Sequence, residues 1–244
     1  MMFLNRKLPE ISICTLVWNG LGFTSRFIES IKSNKCFNYE LIIVDNGSDE
    51  ETSAYLRTQT PNYYRYAENQ GFSKGFNKAV EMCHNEYILC ANNDTIWPNA
   101  DWGRELIKEF NGLRNCGLLF PCTNNILLPV NKRDAKGRKI FKLPKWQLPL
   151  CSGAAFFTKK SIFQRINGFD EAFWVSGEDQ DLQCKVWDAG YDIYATEKIF
   201  FEHIGKATSR NLENQEQIWK ENFLKFREKW KHRLVQSNGK TIQS

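Results

Sequence analysis

The sequence predicts an α/β fold in which a mostly parallel sheet is covered by helices on both faces. Strand-like and helix-like segments alternate along the first half of the chain, and this alternation is typical of parallel sheets. The strand-like segments are also short apolar runs rather than alternating ones, as at residues 11–17 and 41–44. Continuous runs of this kind indicate strands that are buried on both faces.

The first half of the chain contains four predicted strands separated by helices. Each helix shows apolar residues at helical spacing, for example Phe23, Phe27 and Ile31 after the first strand. Ser48 and Glu51 form a capping box, which predicts the start of the second helix. The predicted strands cover residues 11–17, 41–44, 63–66 and 87–91.

The second half is less regular, and a long basic stretch interrupts it. Seven Lys or Arg residues and one Asp lie between positions 132 and 145, and a loop of this length is usually functional or disordered. A helix is predicted from the acidic cluster at 178–181 to Gly190. Apolar residues at helical spacing after residue 211 predict a C-terminal amphipathic helix. The remaining predicted strands cover residues 117–121, 153–158, 193–194 and 199–203.

The composition is that of an ordinary globular chain. It has 244 residues, of which 42% are hydrophobic and 25% are charged, and no apolar stretch approaches the roughly 18 residues of a membrane-spanning helix. Residues 1–17 contain no continuous signal-peptide core, and the eight cysteines include no C-x-x-C pair. We therefore expect a cytoplasmic protein with reduced cysteines. The net charge of +5 is modest, so we expect no nucleic-acid partner.

Three polar clusters each close an apolar run, at positions 92–94, at 178–181 and at His203. Ligands of parallel sheets bind beyond the carboxyl ends of the strands, and Asp45 and Asp94 both stand at such ends. Magnesium needs only one or two carboxylates in addition to phosphate oxygens, so a carboxylate at this place can hold the cation against a diphosphate. Asp94 fits that role; the alternative is that it only caps the helix that follows.

Six short motifs follow one another between about residues 11 and 209. They are Val44-Asp45-Asn46-Gly47-Ser48, Glu68-Asn69-Gln70-Gly71-Phe72-Ser73 with Asn77, Asn92-Asn93-Asp94, Asn167-Gly168-Phe169-Asp170-Glu171, Gly177-Glu178-Asp179-Gln180-Asp181-Leu182, and His203. In this order they resemble the family 2 glycosyltransferases of the GT-A fold, which has a Rossmann-like sheet. They are most similar to the bacterial branch that includes rhamnosyl-, galactosyl- and glucosyltransferases. The turn after the first strand lacks both the G-x-G-x-x-G of dinucleotide-dependent oxidoreductases and the basic loop of sugar nucleotidyltransferases.

The resemblance implies that the first half binds a nucleotide-diphosphate sugar, a UDP- or dTDP-sugar. Thr15, Asn19 and Asp45 are then expected to contact the base and the ribose. For Asp45 the alternative is an Asx turn over the following glycine. The turn containing Asn69 and Gly71 offers backbone N–H groups to the diphosphate at a helix start.

Lys74 adds a positive charge to that turn. It is therefore a candidate ligand of the diphosphate, and the alternative is a solvated surface lysine.

One departure from the family pattern concerns the metal. The family's acidic motif is typically Asp-x-Asp, and here Asn92 takes the first position, which leaves Asp94 as the single carboxylate. The resemblance implies that His203 is a second metal ligand beside Asp94, with Mn²⁺ or Mg²⁺ as cofactor, and imidazole is a competent ligand. Asn92 and Asn93 are then expected to orient the sugar. The alternative for His203 is a buried neutral histidine that is hydrogen-bonded to the protein.

The acidic cluster is the candidate for the chemistry. We expect an inverting transfer to a hydroxyl of a saccharide or lipid-linked acceptor, and Asp179 is the candidate base. Crowding by Glu178 and Asp181 raises the pKa of Asp179 in the direction that the role requires, and both residues are also candidates for holding the acceptor. The alternative is that the three acids only favour a helix N-terminus. For the whole chain, the alternative is an inactive, non-enzymatic GT-A-like module that binds a nucleotide sugar.

The chain divides into a predicted GT-A domain over residues 1–210 and a helical extension over residues 211–244. The extension carries an apolar stripe, which we expect to pack on the domain or on a second subunit in a homodimer. Its basic residues leave association with the inner face of the membrane as the alternative. The stripe consists of Leu212, Trp219, Phe223, Phe226, Trp230 and Leu234.

Overall fold

The computed structural model describes residues 10–124, 140–146, 153–205 and 215–237. Its first half is a set of parallel strands joined by helices, in the order β3-β2-β1-β4. The elements of this half are β1 (Glu10–Val17), α1 (Leu21–Ser33), β2 (Asn38–Asp45), α2 (Glu50–Arg57), β3 (Tyr63–Arg65), α3 (Phe72–Glu81) and β4 (Tyr87–Ala91). The predicted strands and helices of this half are therefore confirmed.

The start of α2 differs from the prediction. Asp49, not Ser48, is the N-cap, since its side chain accepts a hydrogen bond from the Thr52 N–H at 2.8 Å. The Ser48 hydroxyl instead accepts from the Asn19 N–H at 2.8 Å. A capping box is predicted from neighbouring residues alone. Here the Ser48 hydroxyl binds the loop after β1, which is distant in sequence, and so it does not cap α2.

The second half adds strands of both directions. Its elements are β5 (Thr95–Ile96), α4 (Trp102–Gly112), β6 (Cys116–Thr123), β7 (Ile140–Lys142), β8 (Ala155–Lys159), α5 (Lys160–Arg165), α6 (Glu178–Asp188), β9 (Asp192–His203) and α7 (Gln215–Ser237). Strand β8 runs antiparallel between β4 and β6, whereas β6 and β9 are parallel. The α/β fold class is confirmed, and the sheet is parallel in its first half and mixed in its second. An apolar run predicts burial on both faces, but it carries no information on strand direction.

Helices cover both faces of the sheet and give it two apolar layers. On one face Cys14 and Val44 pack with Phe76 of α3. On the other face Ile13 and Ile43 pack with Phe27 of α1. The alternation of side chains along β1 and β2 distributes them between the two layers, and the strand ends remain free to build a site.

The long strand β9 replaces the two short strands predicted at 193–194 and 199–203. Its pairing with β6 shifts register between Thr196, opposite Pro121, and Phe200, opposite Cys122. The polar residues at 197–198 lie in this bulge, which is why the apolar pattern looks interrupted in the sequence.

Two strands were not predicted at all, β5 and β7. Both are short and pair antiparallel with β9. Of the basic stretch 132–145, the described part includes Lys142 and Lys145, whose amines lie 2.7 and 3.5 Å from carboxylate oxygens of Asp192. The rest of that predicted loop lies outside the described residues.

The C-terminal helix α7 packs on the domain with part of its apolar stripe. Phe226, Trp230 and Leu234 are buried, whereas Trp219 and Phe223 are 55% and 37% exposed. The predicted single stripe is therefore divided along the helix: its C-terminal part packs on the domain, and its N-terminal part is exposed. Leu212 and the boundary at 210/211 lie outside the described residues. In the described ranges, no helix combines the length and apolar character that crossing a bilayer requires.

Candidate active site

A cleft opens at the carboxyl ends of β1, β2 and β4. Its polar wall consists of Asn46, Asn69, Asn92, Asn93 and Asp94, and its apolar wall includes Leu16, Trp18, Phe72, Phe76, Trp174 and Val175. Among the lining residues that the structure describes, Asp94 is the single charged one. The cleft can therefore offer many hydrogen bonds but little countercharge to an anionic ligand.

Asn46 organises the polar wall. It is 2% exposed, and its Nδ2 donates to Asn69 Oδ1 at 2.8 Å and to the Gly71 carbonyl at 3.2 Å. Its Oδ1 accepts from the Gln70 N–H at 2.9 Å. Sequence reasoning placed Asn46 in a motif but not among the site residues, although its position directly after a strand was the available signal.

Gly71 allows the apolar wall to approach α3. Its φ is 84°, and a Cβ at this position would lie 2.4 Å from Cδ1 of Trp174. The Phe72 N–H, one residue later, donates to the Trp174 carbonyl at 2.7 Å. The Gly71 N–H, which was predicted to face a diphosphate, donates instead to Asn69 Oδ1 at 2.9 Å. What Gly71 contributes is space, since it lets the indole form the wall of the cleft.

The two predicted metal ligands lie together. Strand β5 pairs Thr95 with His203 of β9, which places His203 Nε2 3.3 Å from Asp94 Oδ1. Both side chains are largely buried, at 15% and 8% exposed. Within the described ranges, no group of three or more His, Cys, Asp or Glu side chains is suited to a metal ion, so a cation here would depend on this pair and on its substrate.

The other two residues of the Asn92–Asp94 turn differ in their contacts. Asn93 Nδ2 donates to the Thr24 hydroxyl of α1 at 2.8 Å. The Asn92 N–H donates to the Ala154 carbonyl at 2.8 Å. Asn93 therefore ties the turn to α1, and Asn92 ties it to the start of β8.

The residues predicted to contact the base and ribose form a turn-stabilising network. Asp45 is fully buried; its Oδ1 accepts from the Ser48 N–H and its Oδ2 from the Tyr63 hydroxyl, both at 2.8 Å. The Asx-turn alternative is thus observed for Asp45. Asn19 Oδ1 accepts from the Asp49 N–H at 2.7 Å. The buried Thr15 hydroxyl has no hydrogen-bond partner among the described residues.

Lys74 does not line the cleft. Its Nζ donates to Gln70 Oε1 at 2.8 Å and lies 5.8 Å from the centre of the Tyr66 ring. The surface-lysine alternative describes these contacts better than the predicted contact with a diphosphate.

Asp179 and Glu178 open α6 beside the start of β8. Asp179 Oδ2 accepts from the Gly153 N–H at 2.9 Å, and its Oδ1 accepts from the Gln180 N–H at 3.1 Å. Burial raises the pKa of Asp179, as the predicted base requires. Burial, and then the nearby Asp179 charge, also raises the pKa of Glu178. Glu178 Oε2 has no hydrogen-bond partner in the part of the chain that the structure describes.

Asp181 has a different environment from the one predicted. It is fully buried, and its Oδ1 accepts from Trp230 Nε1 at 2.7 Å and lies 2.8 Å from Lys229 Nζ. Both partners belong to α7, so the structure places Asp181 at a helix–helix contact and not in the cleft. The sequence identifies Asp181 as an acidic residue, but it does not show that α7 binds its carboxylate.

The sequence matches two family models and is similar to known glycosyltransferases. The family described as "Glycosyl transferase family 2" matches residues 12–166, and the one described as "N-terminal domain of galactosyltransferase" matches residues 140–209. An uncharacterized glycosyltransferase of Rickettsia prowazekii is 24% identical, over 96% of this chain and 77% of its own length. The O-antigen biosynthesis protein RfbC of Myxococcus xanthus is 23% identical, over 84% of this chain and 18% of its own length.

A crystal structure of S. aureus TarS (residues 1–349) in complex with UDP-GlcNAc shares the fold. The TM-score is 0.61 at 15% identity, and the match covers 90% of this chain and 73% of TarS. At this identity the likeness supports the predicted fold class alone.

Proposed function

The chain belongs to glycosyl transferase family 2, and from this premise we propose that it transfers a hexose from a nucleotide-diphosphate sugar to a hydroxyl of a saccharide or lipid-linked acceptor, with inversion at the anomeric carbon. The observation that carries the proposal is the Asp94–His203 pair, 3.3 Å apart, at the polar wall of the cleft. The alternative of an inactive binding module finds no separate support in the described residues.

We propose a UDP- or dTDP-sugar as the donor. The complex of TarS with UDP-GlcNAc supports a nucleotide sugar as ligand of this fold. The unpartnered Thr15 hydroxyl lies two residues before the end of β1, where a base edge could satisfy it. Asp45 would have to exchange one of its internal hydrogen bonds for a ribose or base contact.

The residues present fit a divalent cation. Two ligands on one octahedral cation lie about 3 Å apart when each metal–ligand bond is about 2.1 Å, and the Asp94 and His203 atoms are 3.3 Å apart. We therefore propose that these two side chains hold Mn²⁺ or Mg²⁺. When bound, the cation supplies the positive charge that a leaving diphosphate needs, and the described lining of the cleft provides no basic side chain for that purpose.

We propose that Asp179 is the catalytic base. Its carboxylate takes the proton of the acceptor hydroxyl while the hydroxyl oxygen attacks the anomeric carbon. The bond from this carbon to the diphosphate oxygen breaks, and its electron pair leaves with the diphosphate. The raised pKa makes Asp179 a better proton acceptor than an ordinary aspartate. The Gly153 N–H and the Gln180 N–H hold both carboxylate oxygens in place.

We propose a cytoplasmic enzyme of polysaccharide biosynthesis. Its buried cysteines, for example Cys14 and Cys184, are reduced thiols, as in cytoplasmic proteins. The similarity to an O-antigen biosynthesis protein supports a polysaccharide pathway. Peripheral membrane contact and a homodimer remain alternative uses of the exposed residues Trp219, Phe223 and Leu224 on α7.

The test is a panel of UDP- and dTDP-hexoses, each incubated with the protein with and without Mn²⁺, and the release of nucleoside diphosphate is measured. We expect slow hydrolysis of at least one donor that requires the cation and accelerates when a saccharide acceptor is added. Binding of a nucleotide sugar without any turnover, across acceptors, would favour the binding module instead.

A further inference from the structure

The helix α7 lies beyond both family matches, which end at residues 166 and 209. It nevertheless contacts one continuous segment of the domain, residues 170–181. This segment contributes Trp174 and Val175 to the cleft and continues into the first turn of α6 with Asp179. A catalytic role for α7 at this segment rests on the proposed function.

Two side chains of α7 bind backbone carbonyls of the loop. Asn222 is 5% exposed, and its Nδ2 donates to the Val175 carbonyl at 2.6 Å. The Lys225 amine donates to the Ala172 carbonyl at 2.6 Å. Val175 lines the cleft, so the contact from Asn222 fixes the wall of the cleft from behind.

Two further side chains of α7 bind the carboxylates at the two ends of the segment. Lys229 Nζ lies 2.6 Å from Asp170 Oδ2 and 2.8 Å from Asp181 Oδ1. Trp230 Nε1 donates to Asp181 Oδ1 at 2.7 Å. Since Asp181 and Asp179 share the first turn of α6, these contacts hold the turn that carries the candidate base.

The backbone between the two ends needs such support. Ser176 and Gly177 have φ values of 70° and 90°, and left-handed backbone at a non-glycine residue persists only when surrounding contacts hold it. Ser176, the non-glycine residue of the two, lies between the cleft wall at Val175 and the acidic turn at Glu178.

We propose that α7 is a positioning element for catalysis: it clamps residues 170–181 at both ends and thereby sets the place of Asp179 relative to the wall of the cleft. Asn222 and Lys225 are positioning residues of the loop, and Lys229 and Trp230 are positioning residues of the turn. None of the four is expected to touch the substrates.

The experiment compares Asn222→Ala and Lys225→Met with Leu224→Ala, a control on the same helix whose side chain is 65% exposed. Hydrogen–deuterium exchange is followed in peptides from residues 170–181 and from α3. We expect faster exchange in residues 170–181 of both variants, unchanged exchange in α3, and no change in the control. Lys225 is exposed, so Lys225→Met keeps the test valid if Asn222→Ala folds poorly.

Steady-state kinetics provide the second readout. We expect kcat to fall about tenfold in the two variants while KM for the donor changes by less than about twofold, since misplacement of a base lowers the rate more than ground-state binding. Unchanged exchange in residues 170–181 would overturn the clamp, and faster exchange with unchanged kcat would overturn its role in catalysis. If the unaltered protein transfers no sugar, the proposed function fails, and the exchange measurement alone still decides whether α7 holds the segment.

Discussion

Asp94 belongs to the polar wall of the cleft, and His203 Nε2 lies 3.3 Å from its Oδ1, with both side chains largely buried. Within the described ranges no further carboxylate joins this pair in a metal-binding group, and Asn92 stands where the family typically has an aspartate. The strength of cation binding should therefore depend steeply on each of these two residues.

We predict that Asp94→Ala and His203→Ala each weaken nucleotide binding at least about tenfold when Mn²⁺ is present, the usual loss when a metal site is damaged. Without Mn²⁺ the change should be small. Isothermal titration with UDP, with and without Mn²⁺, measures both. Glu202→Ala, at the exposed neighbouring position, is the control and should behave like the unaltered protein. If UDP binding weakens equally with and without Mn²⁺, Asp94 and His203 are not metal ligands.

We predict that Asp179→Asn lowers turnover by on the order of a hundredfold, the scale of a lost general base. UDP binding should stay unchanged, because Asp179 does not line the cleft. Since burial raises the pKa of Asp179 and the deprotonated form is the base, the acid side of the pH–rate profile should lie above the ordinary aspartate range. Activity within threefold of the unaltered enzyme would remove Asp179 from the mechanism.

We predict that Glu178→Gln stabilises the fold at neutral and higher pH. The pKa of Glu178 is raised in the folded state, so the folded chain holds a proton that the unfolded chain releases, and stability falls as pH rises from the ordinary pKa to the raised one. The neutral glutamine has no such loss. Urea unfolding at several pH values tests this; parallel stability curves for both proteins would contradict it.

The site residues differ in how far sequence could identify them. Asp94 and His203 were identified together through the family resemblance, and the pairing of β5 with β9, which the sequence did not predict, brings them to one place. The role of Asn46 depends on three contacts with the turn before α3, from residues more than twenty positions away. The role of Asp181 depends on Trp230. A motif identifies residue types, but it does not show which of these side chains are already hydrogen-bonded to an element that is distant in sequence.

Among the elements, the strands that sequence missed are those that depend on their partner. Strands β5 and β7 are two and three residues long, too short to show a period of their own, and both exist by pairing with β9. The helices and strands of the first half were predicted, because the spacing of their own apolar residues indicates each of them. Pairing direction in the second half is a tertiary property, so it could not be predicted from runs of apolar residues.

The start of α3 offers a test at the scale of an element. We predict that Gly71→Ala destabilises the protein by on the order of 2 kcal/mol or more, because the added methyl collides with Trp174 at 2.4 Å and the φ of 84° suits glycine. Gly22→Ala on α1 is the matched control: its Cβ meets nothing within 4 Å, so stability should hold or rise. Thermal unfolding of both variants is the measurement, and similar stabilities for the two would contradict the packing of Trp174 against Gly71.

At the scale of the whole molecule, α7 completes the apolar layer on its side of the sheet. We predict that removing residues 211–244 lowers the free energy of unfolding by on the order of 5 kcal/mol, since Phe226, Trp230 and Leu234 would lose their burial. Aggregation should rise, because the surface they cover becomes exposed. Chemical denaturation and light scattering measure these changes.

The control for this truncation uses two exposed apolar residues of α7. Trp219→Ser with Leu224→Ser, at positions 55% and 65% exposed, should change stability by no more than about 0.5 kcal/mol. Sedimentation with anionic vesicles tests whether α7 contacts a membrane. If the intact protein binds vesicles and the truncated one is equally stable but does not bind, the helix is a membrane contact and the packing prediction is wrong.

The pairing of β5 with β9 also bears on the order in which a newly made chain gains its parts. Among the described residues β9 is the last strand of the sheet, and it carries His203 to Asp94. A chain still attached to the ribosome can therefore complete the four parallel strands and the amide wall of the cleft while Asp94 has no histidine beside it. Because the contact between Asp94 and His203 joins distant parts of the chain, it can form only after β9 has been made, later than the local contacts of the first half.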